Sequence, residues 1–129
     1  MSFAHLTLPT RHVERTAAFL EFIFGWTRNP VPANIPVETV WLDIGGGQEI
    51  HVFHVEGFET SPFEAEFGRH VALLRPLAEF DGLRARLEER GATFIPEERT
   101  APYERFFFRE AINGYVFEVI DEARTRKPA

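Results

Sequence analysis

The stretch Gln48-Glu49-Ile50-His51-Val52-Phe53-His54-Val55 decides how the rest of the chain is read. Successive side chains of a strand point to opposite faces, so Ile50 and Val52 share one face while Glu49, His51 and Phe53 share the other. The aliphatic face asks for an apolar layer beneath it. The other face sets an imidazole between a carboxylate and an aromatic ring, which is more than a core needs. Upstream, Gly45-Gly46-Gly47 reads as a turn, and residues 37–44 as a second strand that completes a hairpin. No helical pattern follows those glycines, so they read as a turn and not as a phosphate cradle.

Working outward, residues 3–8 form a short alternating strand that Pro9 is expected to stop. Residues 12–24 carry Val13, Ala17, Leu20 and Phe24 at helical spacing, and Gly25 stands where a helix C-terminal glycine belongs. His12 falls at the helix start and is assigned no chemistry. Pro30, Pro32 and Pro36 mark a loop. The second half repeats the order: a strand over 70–74, a helical stripe of Phe80, Leu83 and Leu87 ending at Gly91, a short strand over 93–95, a strand over 103–109, the turn signal Asn113-Gly114, and a last strand over 115–120. The halves align at a nearly constant offset. Gly25 and Gly91, Glu38 and Glu104, and Trp41 and Phe107 are each 66 residues apart, His5 and His70 are 65 apart, and His51 and Glu118 are 67 apart.

The expected organisation is one α+β domain over residues 1–129. Module 1 runs from about 3 to 55, an acidic and aromatic connector over 56–68, module 2 from about 69 to 121, and a tail over 122–129. Each half reads β-α-β-β or β-α-β-β-β. The basic tail residues Arg124, Arg126 and Lys127 are expected to be frayed and solvated.

The alternation in residues 48–55 recurs in three other strands. His5 opposes Ala4, Leu6 and Leu8; His70 opposes Val71 and Leu73; Glu118 opposes Phe117 and Val119. With the apolar faces packed on the two helices, the opposite faces are expected to gather three imidazoles and a carboxylate. Composition narrows the functions this set can serve. There are no cysteines, which removes disulfides, thiolate metal ligands and a cysteine nucleophile. A net charge of −6 counts against sequence-independent binding of nucleic acid. No apolar run approaches the length of a membrane span and no secretory signal is visible, so the cytoplasm is the expected compartment.

These features resemble the vicinal oxygen chelate superfamily, the group of glyoxalase I, methylmalonyl-CoA epimerase, extradiol dioxygenases, fosfomycin-resistance enzymes and bleomycin-resistance proteins. The marks are His5, the run from His12-Val13-Glu14-Arg15 to Phe24-Gly25-Trp26, Gln48-Glu49-Ile50-His51-Val52, Gly68-Arg69-His70-Val71-Ala72-Leu73, Leu87-Glu88-Glu89-Arg90-Gly91-Ala92, and Asn113-Gly114-Tyr115-Val116-Phe117-Glu118. The resemblance implies paired βαβββ modules that form a cupped mixed sheet, and metal ligands from the first and last strands of each. Carried over by position, His5, His51, His70 and Glu118 are the implied ligands of one divalent transition metal, Zn, Ni, Co, Mn or Fe. The reaction it implies is that of a lyase, isomerase or extradiol-type dioxygenase on a small molecule that chelates through two vicinal oxygens.

Glu118 is the implied proton-shuttling base, and Glu49, on the face of His51, is the alternative. Phe3, Phe53, Trp41 and Phe107 are expected to wall the site. Arg69, Arg99, Arg105 and Arg109 are the candidate anion anchors, among which nothing in the sequence selects, and Arg109 is placed among the substrate contacts. The resemblance also implies a homodimer. His51 departs from glyoxalase I, which usually carries two glutamates among its ligands. A metal-free protein that sequesters a ligand, as bleomycin-resistance proteins do, is the alternative reading, and a metal-site relic with a structural or regulatory role is a third.

Overall fold

The computed structural model describes residues 3–128. The chain divides into two compact units, residues 1–59 and 60–129.

In the first unit the order is β1 (His5–Thr10), α1 (Val13–Phe24), β2 (Thr27–Asn29), β3 (Thr39–Gly45) and β4 (Gln48–His54). The strands form one four-stranded sheet in the order β1-β4-β3-β2. β1 runs parallel to β4, as a strand that returns through a helix can, and the other two pairs are antiparallel. Leu8, Val40, Leu42, Ile50 and Val52 are buried, as are Val13, Ala17, Leu20, Ile23 and Phe24 of α1. The apolar stripe of the helix therefore covers the aliphatic face of the sheet, and each such side chain contributes about 1.5–3 kcal/mol. Thr10 supplies the start signal of the helix: its hydroxyl accepts the His12 N–H at 2.9 Å, and the His12 side chain makes no cap. Gly25 ends it at φ 72°, with its N–H on the Glu21 carbonyl.

The second unit repeats this plan with β5 (Val71–Arg75), a 3-10 turn at Leu77–Glu79, α2 (Phe80–Glu89), β6 (Thr93–Ile95), β7 (Arg105–Arg109) and β8 (Val116–Asp121). The sheet order β5-β8-β7-β6 is the same, again with the first strand parallel to the last. Its helix-facing layer is more aromatic. Phe80 of α2 meets Phe106 edge-on at 5.3 Å, and Phe108 stacks on Phe117 at 5.3 Å. The two modules are thus βαβββ units, each with a mixed sheet.

Five expectations change. β1 continues through Pro9 to Thr10, because β1 is an edge strand and a missing N–H on its outer side breaks no ladder. β1 begins at His5 and not at residue 3, and β5 begins at Val71, so His70 stands just before it. The loop after Gly25 begins with β2, too short for a periodicity to show. Asn113-Gly114 is not a two-residue hairpin turn: β7 and β8 are joined by residues 110–115, closed by the Glu110 carboxylate, which accepts the N–H groups of Ile112, Asn113 and Tyr115. The basic tail is tied down, by a bridge between Tyr103 and Arg126 and by the Lys127 N–H on the Pro102 carbonyl.

Candidate functional site

Register places the singled-out residues on the helix-free face of each sheet. In the first unit Trp41 lies directly opposite His51, and Thr7 lies on its other side. His5 is level with Glu49. Three rings stand in a row across the strands: His5 stacks on His51 at 3.9 Å, and His51 stacks on Trp41 at 3.8 Å. Phe53 closes on His51 edge-on at 6.0 Å. With both ring faces covered, His51 is held in orientation and is buried, whereas His5 is exposed.

One His51 ring nitrogen also has a protein partner. Nε2 lies 3.0 Å from Glu49 Oε1, and Asn29 Nδ2 donates to Glu49 Oε2 at 2.8 Å. The Asn29 hydrogen bond, and then that of His51, hold the Glu49 carboxyl below its ordinary value, so it is ionised at neutral pH. Asn29 was missed in the sequence because β2 was read as loop; its parity with Trp41 in the pairing is the signal that would have found it. Trp41 Nε1 is buried and has no hydrogen-bond partner among the described residues.

In the second unit Glu118 lies opposite Phe107 on one side and Ala72 on the other. These positions match those around His51, so the repeat offset read in the sequence is also a repeat of register. Glu118 Oε1 is 3.2 Å from His70 Nε2, and His70 Nδ1 is 3.1 Å from the Ala65 carbonyl. The Phe107 ring meets His70 edge-on at 5.4 Å.

The other Glu118 oxygen belongs to Arg105, whose side chain is 3% exposed. Nη1 donates to Glu118 Oε2 at 3.0 Å, Nε to Glu97 Oε2 at 2.8 Å, and Nη2 to Glu66 Oε2 at 3.2 Å and to the Arg99 carbonyl. Burial alone would favour the neutral guanidine, but the hydrogen bonds it donates to Glu118, Glu97 and Glu66 outweigh it and keep the charge on Arg105. Burial likewise raises the Glu66 carboxyl, yet the N–H groups of Glu98 and Arg99 together with Arg105 leave it lowered. Arg105 was expected only as an anion anchor. Its parity with Phe107, opposite the apolar Phe106 and Phe108, was the available signal for a place beside Glu118.

Arg109 and Arg69 are engaged as well, whereas the Arg99 side chain is exposed. Arg109 donates through Nη1 to the Gly114 carbonyl and through Nη2 to the Glu64 carbonyl. Arg69 donates to Glu64 at 2.8 Å and lies over the Tyr115 ring at 4.9 Å. Glu64, from the acidic connector, is buried and also accepts the Val116 N–H. Phe3 is 83% exposed.

Imidazole and carboxylate are donor types that a divalent transition metal would take, and His5, His51, His70 and Glu118 are the residues that would supply them. Each unit contributes two of the four implied donors. Among the described residues no three His, Asp or Glu side chains are grouped closely enough to hold an ion together.

A family model describing the glyoxalase/bleomycin resistance protein/dioxygenase superfamily matches residues 2–119. The chain belongs to that superfamily. No curated protein matches the sequence. Solved structures do, at the level of the fold. A variant of the fosfomycin resistance protein FosX from Listeria monocytogenes, complexed with Mn(II) and 1S,2S-dihydroxypropylphosphonic acid, is similar with TM-score 0.76 at 18% identity, over 93% of this chain and 91% of that one. FosX from Mesorhizobium loti gives TM-score 0.71 at 20% identity, over 92% and 90%. A possible glyoxalase from Bacillus cereus gives 0.67 at 21% identity, over 93% and 98%. As a superfamily member the chain is a vicinal oxygen chelate protein, and among its described residues no helix is long and apolar enough to cross a membrane.

Proposed function

We propose that this protein is a divalent-metal-dependent enzyme of the glyoxalase and dioxygenase type, a lyase, isomerase or dioxygenase acting on a small molecule with two vicinal oxygens. The observation that carries the reading is the His70–Glu118 pair, 3.2 Å apart, in which Glu118 holds the register position that His51 holds in the other module. The proposed ligands are His5, His51, His70 and Glu118. The Mn(II) in the FosX complex supports a divalent ion in this superfamily. A bound divalent ion supplies Lewis acidity for a developing oxyanion or enediolate.

The chain's own residues divide the remaining work. Arg105 takes Glu118 Oε2 and turns Oε1 toward His70, which suits Glu118 to a fixed ligand role more than to a mobile base. Glu49 is the better base of the two. It is ionised, held by the neutral Asn29, and in contact with His51. Trp41, Phe53 and Phe107 wall off water near the imidazoles. Arg109 clamps the 110–115 segment through two carbonyls and borders the site. The same reading takes a homodimer as the working assembly and the cytoplasm as its compartment.

One specific observation favours the metal-free, ligand-sequestering alternative. His51 Nε2 and Glu118 Oε2 already have protein partners, Glu49 and Arg105. Elemental analysis of the untagged protein separates the two readings. Near one equivalent of transition metal, lost in His70→Ala and in Glu118→Ala, is the expected result. No metal uptake after incubation with Mn²⁺, Fe²⁺, Co²⁺, Ni²⁺ or Zn²⁺ would leave the sequestering protein as the better reading.

A further inference from the structure

We infer that Arg109 is an anion grip, and that the ligand taken beside it is a small carboxylate, with its charged end on Arg109 and its two vicinal oxygens at His70 and Glu118. The inference rests on the reading above in placing the ligand at that pair, and it names the class of molecule that would come there. Every residue involved belongs to the second compact unit, residues 60–129.

Register sets Arg109 and His70 in one row. On β7, Arg105, Phe107 and Arg109 share the helix-free face. Arg109 pairs with Val116 of β8 on one side and with Thr93 of β6 on the other. His70 comes one residue before Val71, which pairs with Phe117, so it stands level with Val116. Two strand spacings put Arg109 and His70 about 10 Å apart at the backbone. The connector brackets their side chains. The Glu64 carbonyl accepts Arg109 Nη2 at 3.1 Å, and the next carbonyl, that of Ala65, lies 3.1 Å from His70 Nδ1. The bracket is closed on itself: the Gly68 N–H donates to the Ala65 carbonyl and the Arg69 N–H to the Phe63 carbonyl. A Cβ at Gly68 would run into that Phe63 carbonyl.

Arg109 differs from the other three candidate arginines in carrying a charge that is held but not neutralised. Arg105 is buried against three carboxylates, and Arg69 is paired with Glu64. The Arg99 side chain is exposed, and nothing among the described residues holds it. Arg109 is held, through Nη1 on the Gly114 carbonyl and Nη2 on the Glu64 carbonyl, yet both acceptors are neutral. It is exposed, has no carboxylate partner among the described residues, and keeps three of its five N–H donors unused. The neighbouring carboxylates are engaged elsewhere. That of Glu64 takes Arg69 and the Val116 N–H, and that of Glu110 takes the N–H groups of Ile112, Asn113 and Tyr115. A guanidinium fixed by neutral carbonyls keeps its charge for a ligand, and its remaining donors suffice for both oxygens of a carboxylate. Thr93, beside it in the row, is exposed and adds a hydroxyl with no partner among the described residues.

The test uses the full-length protein and two probes of one shape, 3,4-dihydroxyphenylacetate and its neutral amide, 3,4-dihydroxyphenylacetamide. Affinities are measured by calorimetry with and without Mn²⁺, and metal content is read separately by elemental analysis. The acid is expected to bind about tenfold more tightly than the amide at low salt, and the preference to shrink at high salt. In Arg109→Gln the ratio is expected to fall to about one while the amide affinity holds. A purely structural clamp would weaken both probes together and leave the ratio intact, and that result overturns the inference. If circular dichroism shows Arg109→Gln unfolded, Arg109→Lys decides. A point charge lacks the fork, so the ratio is expected to drop by about threefold, and an unchanged ratio overturns the inference. It is overturned as well if the acid binds no better than the amide, if Arg99→Gln removes the preference in place of Arg109→Gln, or if neither probe binds. The proposed function is judged apart. Metal uptake without a preference for the acid removes the inference alone. A preference that depends on Arg109 in protein that takes up no metal keeps the anion grip and removes the metal-dependent enzyme.

Discussion

The two modules share a topology and a register but hold their key side chain in different ways. In the first, His51 is fixed by shape: rings cover both its faces, and a carboxylate braced by a neutral amide meets its edge. In the second, Glu118 is fixed by charge: a buried guanidinium grips one oxygen, and that guanidinium is gripped by two more carboxylates. The same backbone plan therefore supports a soft aromatic mount and a hard ionic one. The ionic mount is the more brittle, because a buried ion that loses its partner has no water to turn to.

The largest effect should follow from breaking the ionic mount. Arg105→Met removes the counter-charge of three carboxylates, and urea unfolding is expected to show a loss of about 3–5 kcal/mol. Trp41→Phe, the matching test of the aromatic mount, keeps a ring against His51 and removes a buried N–H that has no partner among the described residues; its expected loss is within about 1.5 kcal/mol. Equal losses in the two variants would contradict the contrast.

Between these extremes lies a pair of substitutions that should behave alike. Gly25 and Gly91 close equivalent helices at φ 72° and 73°, and a Cβ would meet nothing within 4 Å at either. Backbone conformation is then the whole penalty, and alanine at each position is expected to lower stability by about 1–2 kcal/mol. Unequal penalties would show that the modules differ in more than their mounts.

The smallest effect concerns Arg28, which joins β2 to α1 by hydrogen bonds to Glu14 and Glu21. The Glu14 carboxyl lies below its ordinary value, chiefly through its hydrogen bond to Arg28. A carboxyl with a depressed folded-state pKa stabilises the protein above its unfolded-state pKa, and that contribution fades as pH falls through the folded value. The pair is exposed, so Arg28→Gln is expected to lower stability at neutral pH by no more than about 1 kcal/mol. The difference from the unsubstituted protein should shrink in strong acid, and chemical denaturation at the two pH values checks it.

Much of this contrast was legible in the sequence. Strand parity alone separated His5, His51, His70 and Glu118 from their aliphatic neighbours, and the offset of about 66 residues anticipated the register that sets Trp41 beside His51 and Phe107 beside Glu118. What stayed hidden depends on contacts between distant segments. Nothing local says that Arg105 turns to Glu66 and Glu97, 39 and 8 residues away, and not to a ligand. Three-residue β2 is too short to show a period, so Asn29 and its support of Glu49 were out of reach. The connector read only as an acidic and aromatic link between the modules, yet Glu64 is buried while Phe63 and Phe67 are exposed, an inversion that hydropathy cannot foresee.

The central claim is that three imidazoles and one carboxylate serve a divalent metal. X-ray absorption at the edge of the bound metal, on protein carrying its native ion, counts imidazole ligands directly through their multiple-scattering signature. The proposed ligand set predicts three imidazoles, falling to two in His51→Ala, with a carboxylate oxygen lost in Glu118→Gln. A spectrum showing only oxygen ligands, or one unchanged by His51→Ala, would contradict it.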